Sequence, residues 1–166
     1  MQVDVRGADE AEIGSLARLW LDGWQDAHAA ILPAALTRLR TLESFRERLA
    51  GARSSLRVAG PVGAPVGFCM VRDEELHQLY VAASARGSGL ARALLIDAEA
   101  RLFGRGVATA WLVCAIGNER AARFYAKGGW HRAGTMINRL ETPEGLFPLE
   151  VWRYEKRSTP PGDTAP

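Results

Sequence analysis

The chemistry in this chain is clearest at Arg86-Gly87-Ser88-Gly89-Leu90-Ala91, between a strand-like apolar run, Leu76 to Val81, and a helix-like run, Leu90 to Phe103. Two glycines and a serine leave little side-chain bulk over a strand-to-helix turn. Several amide groups are then free to point outward at the first turn of a helix, where unpaired N–H groups and the helix dipole both attract negative charge. Arg86 and Arg92 add positive charge on either side. These residues predict a bound phosphate or pyrophosphate.

Spacing separates the known phosphate loops. A dinucleotide fingerprint needs Gly-x-Gly-x-x-Gly or Ala. Gly87 and Gly89 fit, but Arg92 stands at the third position, where its side chain opposes close helix–strand packing. A P-loop needs a Gly-Lys pair, and the chain has none. The remaining pattern, Arg/Gln-x-x-Gly-x-Gly/Ala, is met by Arg86, Gly89 and Ala91. It resembles the pyrophosphate loop of the GNAT superfamily, the acetyl-CoA-dependent N-acetyltransferases. A second stretch, Asn118 to Trp130, is similar to that family's Asn-x-x-Ala-x-x-Phe-Tyr signature followed by a Gly-aromatic pair. It follows another strand-like run, Ala110 to Ala115, in the family's order. The resemblance covers roughly Val3 to Glu155, the N-terminal third only in its general strand–helix–helix pattern.

The resemblance implies acetyl-CoA as cofactor and a set of contacts. Arg86, Gly87, Ser88, Gly89, Leu90, Ala91 and Arg92 would take the pyrophosphate. Asn118 matches a residue contacting the pantetheine or phosphate portion, and it is equally a helix N-cap. Ala121 of the same signature belongs with the cofactor site, and Arg123, like Arg120, is a candidate for the phosphates. The fourth and fifth strands of the family splay apart, so Leu79, Tyr80 and Val81 would offer backbone groups to the pantetheine arm and an N–H to the acetyl carbonyl. The matching tyrosine, Tyr125, acts in the family as general acid toward the departing sulfur, with its neighbour Phe124 assigned to the core.

Acetylating an amine also needs a base. An ammonium of pKa near 10.4 is almost fully protonated at pH 7, and freeing it costs about 4–5 kcal/mol. Glu75, eleven residues before Arg86, matches the spacing of the glutamate base in the histone-acetylating branch of the family. An acidic pair such as Glu74-Glu75 also fits a solvated strand entrance. His77 is the rival: it shares a face with Glu75 in a regular strand, and its ordinary pKa near 6.5 suits base catalysis. Family members often carry a bulge at this strand, and one near Leu79-Tyr80 would alter that parity.

The acceptor wall is expected from the N-terminal helices. Trp20, Trp24 and His28 recur at helical spacing, so Trp24 and His28 are candidates to line the substrate pocket, with Asp22 or Asp26 attracting a cation. Core packing accounts equally well for both tryptophans. Asn138 to Phe147 is expected as a hairpin loop at the acceptor mouth. The acceptor stays open among small amines, polyamines, peptide N-termini and lysines. Two other readings share these residues: an acyltransferase for a longer acyl group, and a non-catalytic acyl-CoA-binding module.

These residues need a scaffold. The expected order is β α α β β β α β α β β: an α/β (α+β) fold with a mixed, mostly antiparallel sheet of about seven strands and helices on both faces. Strands are expected at Gln2–Arg6, Ser55–Ala59, Pro65–Val71, Glu75–Val81, Ala108–Ala115, Gly134–Leu140 and Pro148–Glu155. Asp9 is a plausible N-cap, and Ile13, Leu16, Ala17, Trp20, Leu21 and Trp24 form one apolar helix face. Further helices are expected after Thr41, after Gly89 and over Glu119–Lys127. Residues 1–157 read as one domain and 158–166 as a disordered, Pro-rich tail.

A net charge of +2 and the lack of a basic run argue against nucleic acid. Cys69 and Cys114 lie in apolar runs without a nearby histidine, so buried free thiols are expected and no metal site. The N-terminal residues lack a signal pattern and no apolar run is long enough to span a membrane; the expectation is a cytoplasmic protein. The resemblance also allows a homodimer.

Overall fold

The computed structural model describes residues 3–159. One seven-stranded sheet runs in the order β1-β2-β3-β4-β5-β7-β6. Its strands are β1 (Val5–Gly7), β2 (Leu56–Ala59), β3 (Gly67–Arg72), β4 (Glu75–Val81), β5 (Thr109–Ala115), β6 (His131–Thr142) and β7 (Gly145–Arg157). Every neighbouring pair is antiparallel except β4 and β5. Helices α1 (Ile13–His28), α2 (Ala34–Leu39) and α3 (Leu42–Gly51) belong to the first half of the chain, and α4 (Leu90–Gly104) and α5 (Glu119–Lys127) to the second. The expected mixed sheet with helices on both faces is the one observed. Among the described residues, no helix is long and apolar enough to cross a membrane.

Two cores fill the two faces. The predicted α1 stripe, Ile13, Leu16, Ala17, Trp20, Leu21 and Trp24, is wholly buried with α3 against Phe68 and Met70 of β3. On the opposite face Leu90, Leu94, Leu95, Ala98 and Leu102 of α4 pack on Cys69, Val71 and Leu76. The thiols of Cys69 and Cys114 are free and buried, and burial pushes both up to about 11.

Three expectations need correction. α2 was not anticipated: six residues show too little periodicity, and only Leu36 of this helix is buried. β6 and β7 are longer than expected and meet at a tight turn, with Thr142 paired to Gly145, so Asn138–Phe147 is mostly strand. β7 runs through Arg157, and the Ser158 amide still donates to the Ala108 carbonyl at 2.9 Å. Of the expected tail, residues 160–166 lie outside the described residues, as does Gln2 of the first expected strand.

The entry to α1 is held by one buried carboxylate. Asp9 caps a short 3-10 turn, Glu10–Glu12, that leads into the helix. Arg6 of β1 forks onto both oxygens of Glu12 at 2.8 and 2.7 Å, and the amides of Asp9 and Gly63 donate to it at 2.9 and 3.1 Å. Hydrogen bonding to Arg6, against a cost of burial, holds the carboxyl down at about 2. Glu12→Ala leaves a guanidinium and two amides unpartnered, so it is expected to cost about 3 kcal/mol in urea unfolding.

Candidate functional site

The sheet opens where β4 and β5 meet. Their pairing consists of Glu75 with Trp111, next to the bond from the Trp111 amide to the Glu74 carbonyl at 3.1 Å. Beyond it the strands diverge, although β4 stays paired to β3 through Val81 and β5 to β7 through Ala115. The facing edges therefore carry backbone groups without a strand partner. The opening is a cleft of about 460 Å³.

One end of the cleft is the glycine turn. Gly87 and Gly89 have φ of +77° and +82°, a backbone region that favours glycine, and a Cβ built on either meets no atom within 4 Å. No side chain caps α4, and the Ala93 amide is the first to bond back, to the Gly89 carbonyl at 3.1 Å. The first-turn amides of α4 thus lack helix partners. Arg86, Gly87, Gly89, Leu90, Ala91 and Arg92 line the cleft here. Ser88 does not: its hydroxyl turns back to donate to the Ala85 carbonyl at 2.5 Å.

The opposite wall comes from α5. Asn118 caps it, accepting from the Ala121 amide at 3.3 Å, and both residues line the cleft. Phe124 and Tyr125 lie there together with ring centroids 5.2 Å apart, so both rings are half core and half wall. Burial raises the Tyr125 phenol above its ordinary value. Arg123 is exposed and lies outside the cleft; Arg120 lines it instead. Asp26 of α1 bridges Arg86 at 2.6 Å and Arg120 at 3.2 Å, so it is engaged with two arginines of the cleft wall and is not free to attract a cation.

β4 contributes the floor. The Ala82 amide donates to Val66, toward β3, at 2.8 Å. Residues in an antiparallel ladder alternate in the edge they present. Leu79 and Val81 therefore turn their amides toward the cleft, and Tyr80 turns its amide toward β3. The Tyr80 ring packs in the α1-side core near Phe68, at 5.8 Å between centroids.

The bulge lies at His77, not near Leu79-Tyr80. Met70 pairs with Gln78 and Val71 with Leu76, which leaves His77 as the extra residue. The bulge resets parity: Leu76 faces α4 with Val71, while Glu75 turns to the other face beside Arg72. Glu75 is 6% exposed, and its Oε1 lies 3.1 Å from His77 Nδ1. A carboxylate only accepts, so Nδ1 donates and Nε2 is left as an acceptor.

A second cavity of about 110 Å³ lies on the α1 side of the sheet and holds Glu75 and Trp24. His28, His77, Gln78, Tyr80, Val113 and Ala115 line both cavities and mark where they meet. Trp24 is 6% exposed, so it serves core and wall together. Asn138 to Glu141 of the hairpin reach this cavity as part of β6. The sequence reading missed Arg40, Arg48, Arg72 and Glu141, which also line it. They come from α2's end, α3, β3 and β6, and no local pattern links them.

His28 donates through Nδ1 to the Trp24 carbonyl at 3.1 Å, and burial lowers its pKa to about 4. It is neutral at pH 7 and too weakly basic to take an ammonium proton. An unfolded histidine charges near 6.5, so the unfolded chain alone binds this proton between pH 6.5 and 4. That part of stability is complete above pH 6.5 and falls as pH drops through the window. With partial exposure discounted, about 2 kcal/mol should be lost between pH 7 and 4.5. His28→Gln should show a smaller loss in urea unfolding at the two pH values.

The model of the acetyltransferase (GNAT) family matches residues 16–130. The chain belongs to that family. An uncharacterized N-acetyltransferase of Mycobacterium tuberculosis is 37% identical over 101 residues, covering 58% of this chain and 65% of that protein. The matched stretch thus spans just under two thirds of that relative. A GCN5-related N-acetyltransferase from Rhodopseudomonas palustris superposes with a TM-score of 0.74 at 19% identity, over 95% of this chain and 97% of the other. PaiA N-acetyltransferase from Thermoplasma acidophilum, solved in complex with coenzyme A, gives 0.67 at 16% identity, over 95% and 100%. At these identities the structures speak to the fold.

Proposed function

We propose that the protein transfers the acetyl group of acetyl-CoA to a primary amine by direct attack. One observation carries this reading: a single-bridge opening between β4 and β5 that runs from a bare glycine turn to a histidine–glutamate pair. The coenzyme A in the Thermoplasma relative supports the same cofactor class.

The residues present fit the cofactor. The turn at Gly87–Ala91 is open above its glycines and offers uncapped amides to a diphosphate, with Arg86, Arg92 and Arg120 alongside. The free edges of β4 and β5 suit an extended chain of amides, which is what pantetheine is. Acetyl-CoA, when bound, supplies an acyl group activated as a thioester.

The remaining work falls to the chain. Of the two cleft-facing amides, that of Leu79 donates to the oxygen that becomes negative, and that of Val81, two residues further along the strand, to the pantetheine arm. His77 Nε2 takes the proton of the incoming ammonium, and Glu75 fixes the ring and stabilises the imidazolium. Tyr125 holds its proton at pH 7 and delivers it to the departing sulfur as the C–N bond forms and the C–S bond breaks, and the second proton shed by the nitrogen restores the phenol.

A screen of amines with acetyl-CoA, read by release of free CoA and by acetyl-amine mass, tests this. The expected result is turnover of one amine class. Tight acetyl-CoA binding without turnover of any amine or peptide would instead identify a binding module.

A further inference from the structure

The α1-side cavity carries more positive charge than its walls neutralise. Arg40, Arg48, Arg72 and Arg139 line it against two carboxylates, Glu75 and Glu141. Both carboxylates are engaged: Glu141 by Arg72 at 2.9 Å, and Glu75 by His77 at 3.1 Å and Arg72 at 3.8 Å. Among the described residues, neither Arg40 nor Arg48 has a carboxylate partner.

Arg40 is the informative residue. Its residue is 4% exposed. Nη1 donates to the Glu141 carbonyl at 2.6 Å, while Nε is buried without a hydrogen-bond partner. The Nε–Nη2 edge of a guanidinium presents two parallel N–H groups, the geometry that matches a carboxylate. Arg48 adds charge nearby, with its guanidinium carbon 4.5 Å from the Trp20 ring centroid. Burial lowers the pKa of both, Arg48 to about 10 with Arg40 as a further cause. A buried guanidinium N–H without a partner is unfavourable, and a substrate anion would supply that partner.

We propose that the amine acceptor carries its own carboxylate, gripped by the free edge of Arg40 with Arg48 behind it. This rests on the acetyltransferase reading of the adjoining cleft. The carboxylate end would sit in the arginine cavity and the amine at the junction lined by His77 and Gln78. A cavity of about 110 Å³, at about 30 Å³ per water in the liquid, holds roughly four water-sized groups, which suits a carboxylate on a short stem and not a folded polypeptide surface.

The test pairs each of the common L-amino acids with its own carboxamide, using purified full-length protein and acetyl-CoA. The amide's amine is the less basic, so reactivity alone favours it. The expected result is a kcat/KM for the best acid at least about tenfold above its amide. In Arg40→Gln that preference should collapse to about one, while Arg40→Lys should retain part of it. Equal use of acid and amide, or an unchanged preference in Arg40→Gln, would overturn the proposal. If circular dichroism shows Arg40→Gln unfolded, Arg48→Gln is measured for the same narrowing of the preference, and an unchanged preference there counts against the proposal. If no amine releases CoA, calorimetry of the same pairs onto CoA-saturated protein decides: acid-selective binding that weakens in the arginine variants supports it, and its absence overturns it. Acetyl-CoA calorimetry on the same sample reports separately on the cofactor cleft.

Discussion

Gly89→Glu is expected to lower acetyl-CoA affinity at least about 100-fold in calorimetry, a loss of about 2.7 kcal/mol. Two effects act together. A residue with a side chain is strained at a φ of +82° by about 1 kcal/mol or more. The new carboxylate also sits over the amides proposed to hold a diphosphate and repels it. The fold should survive, because a Cβ at this position meets nothing within 4 Å. Gly89→Ala separates the two effects: it keeps the strain without the charge and should lose far less affinity. Unchanged affinity in Gly89→Glu would remove the diphosphate from this turn.

Tyr125→Phe is expected to lower kcat about 100-fold or more and acetyl-CoA affinity less than about threefold. The hydroxyl is the only group lost, and the ring keeps its packing beside Phe124, Trp130 and Tyr154. The split between turnover and binding is the diagnostic feature. A structural role would shift the melting temperature and both constants together. Equal turnover in Tyr125→Phe would transfer the proton to another donor.

Local signals carried the parts of the fold that act locally. The α1 stripe repeats over several turns, so all six of its predicted residues are buried. Asn118 can cap α5 because a side-chain oxygen there reaches the Ala121 amide, and its position in the sequence announces that. Thr41 similarly starts α3, with a reciprocal bond from Ser44. The glycine turn is read from residue size and sign of charge, which need no tertiary context.

What escaped depends on distance or on a single inserted residue. One bulge at His77 turns Glu75 to the α1 face, so strand alternation placed the pair correctly side by side for a reason the structure replaces. On α5, at 100° per residue, Arg123 points roughly opposite to Ala121 and Tyr125, whereas Arg120, at the helix start, reaches Asp26 on α1. The arginine cavity draws on α2, α3, β3 and β6, whose residues are a hundred positions apart at the extremes: Arg40 bonds to Glu141 across 101 positions. No spacing rule detects such a cluster before the sheet assembles it.

A crystal structure of the protein soaked with acetyl-CoA tests the central claim most directly. The account predicts the diphosphate on the amides that follow Arg86, with the pantetheine arm running between β4 and β5 toward His77. A diphosphate held on any other surface, or a cleft still empty at saturating cofactor, would contradict it.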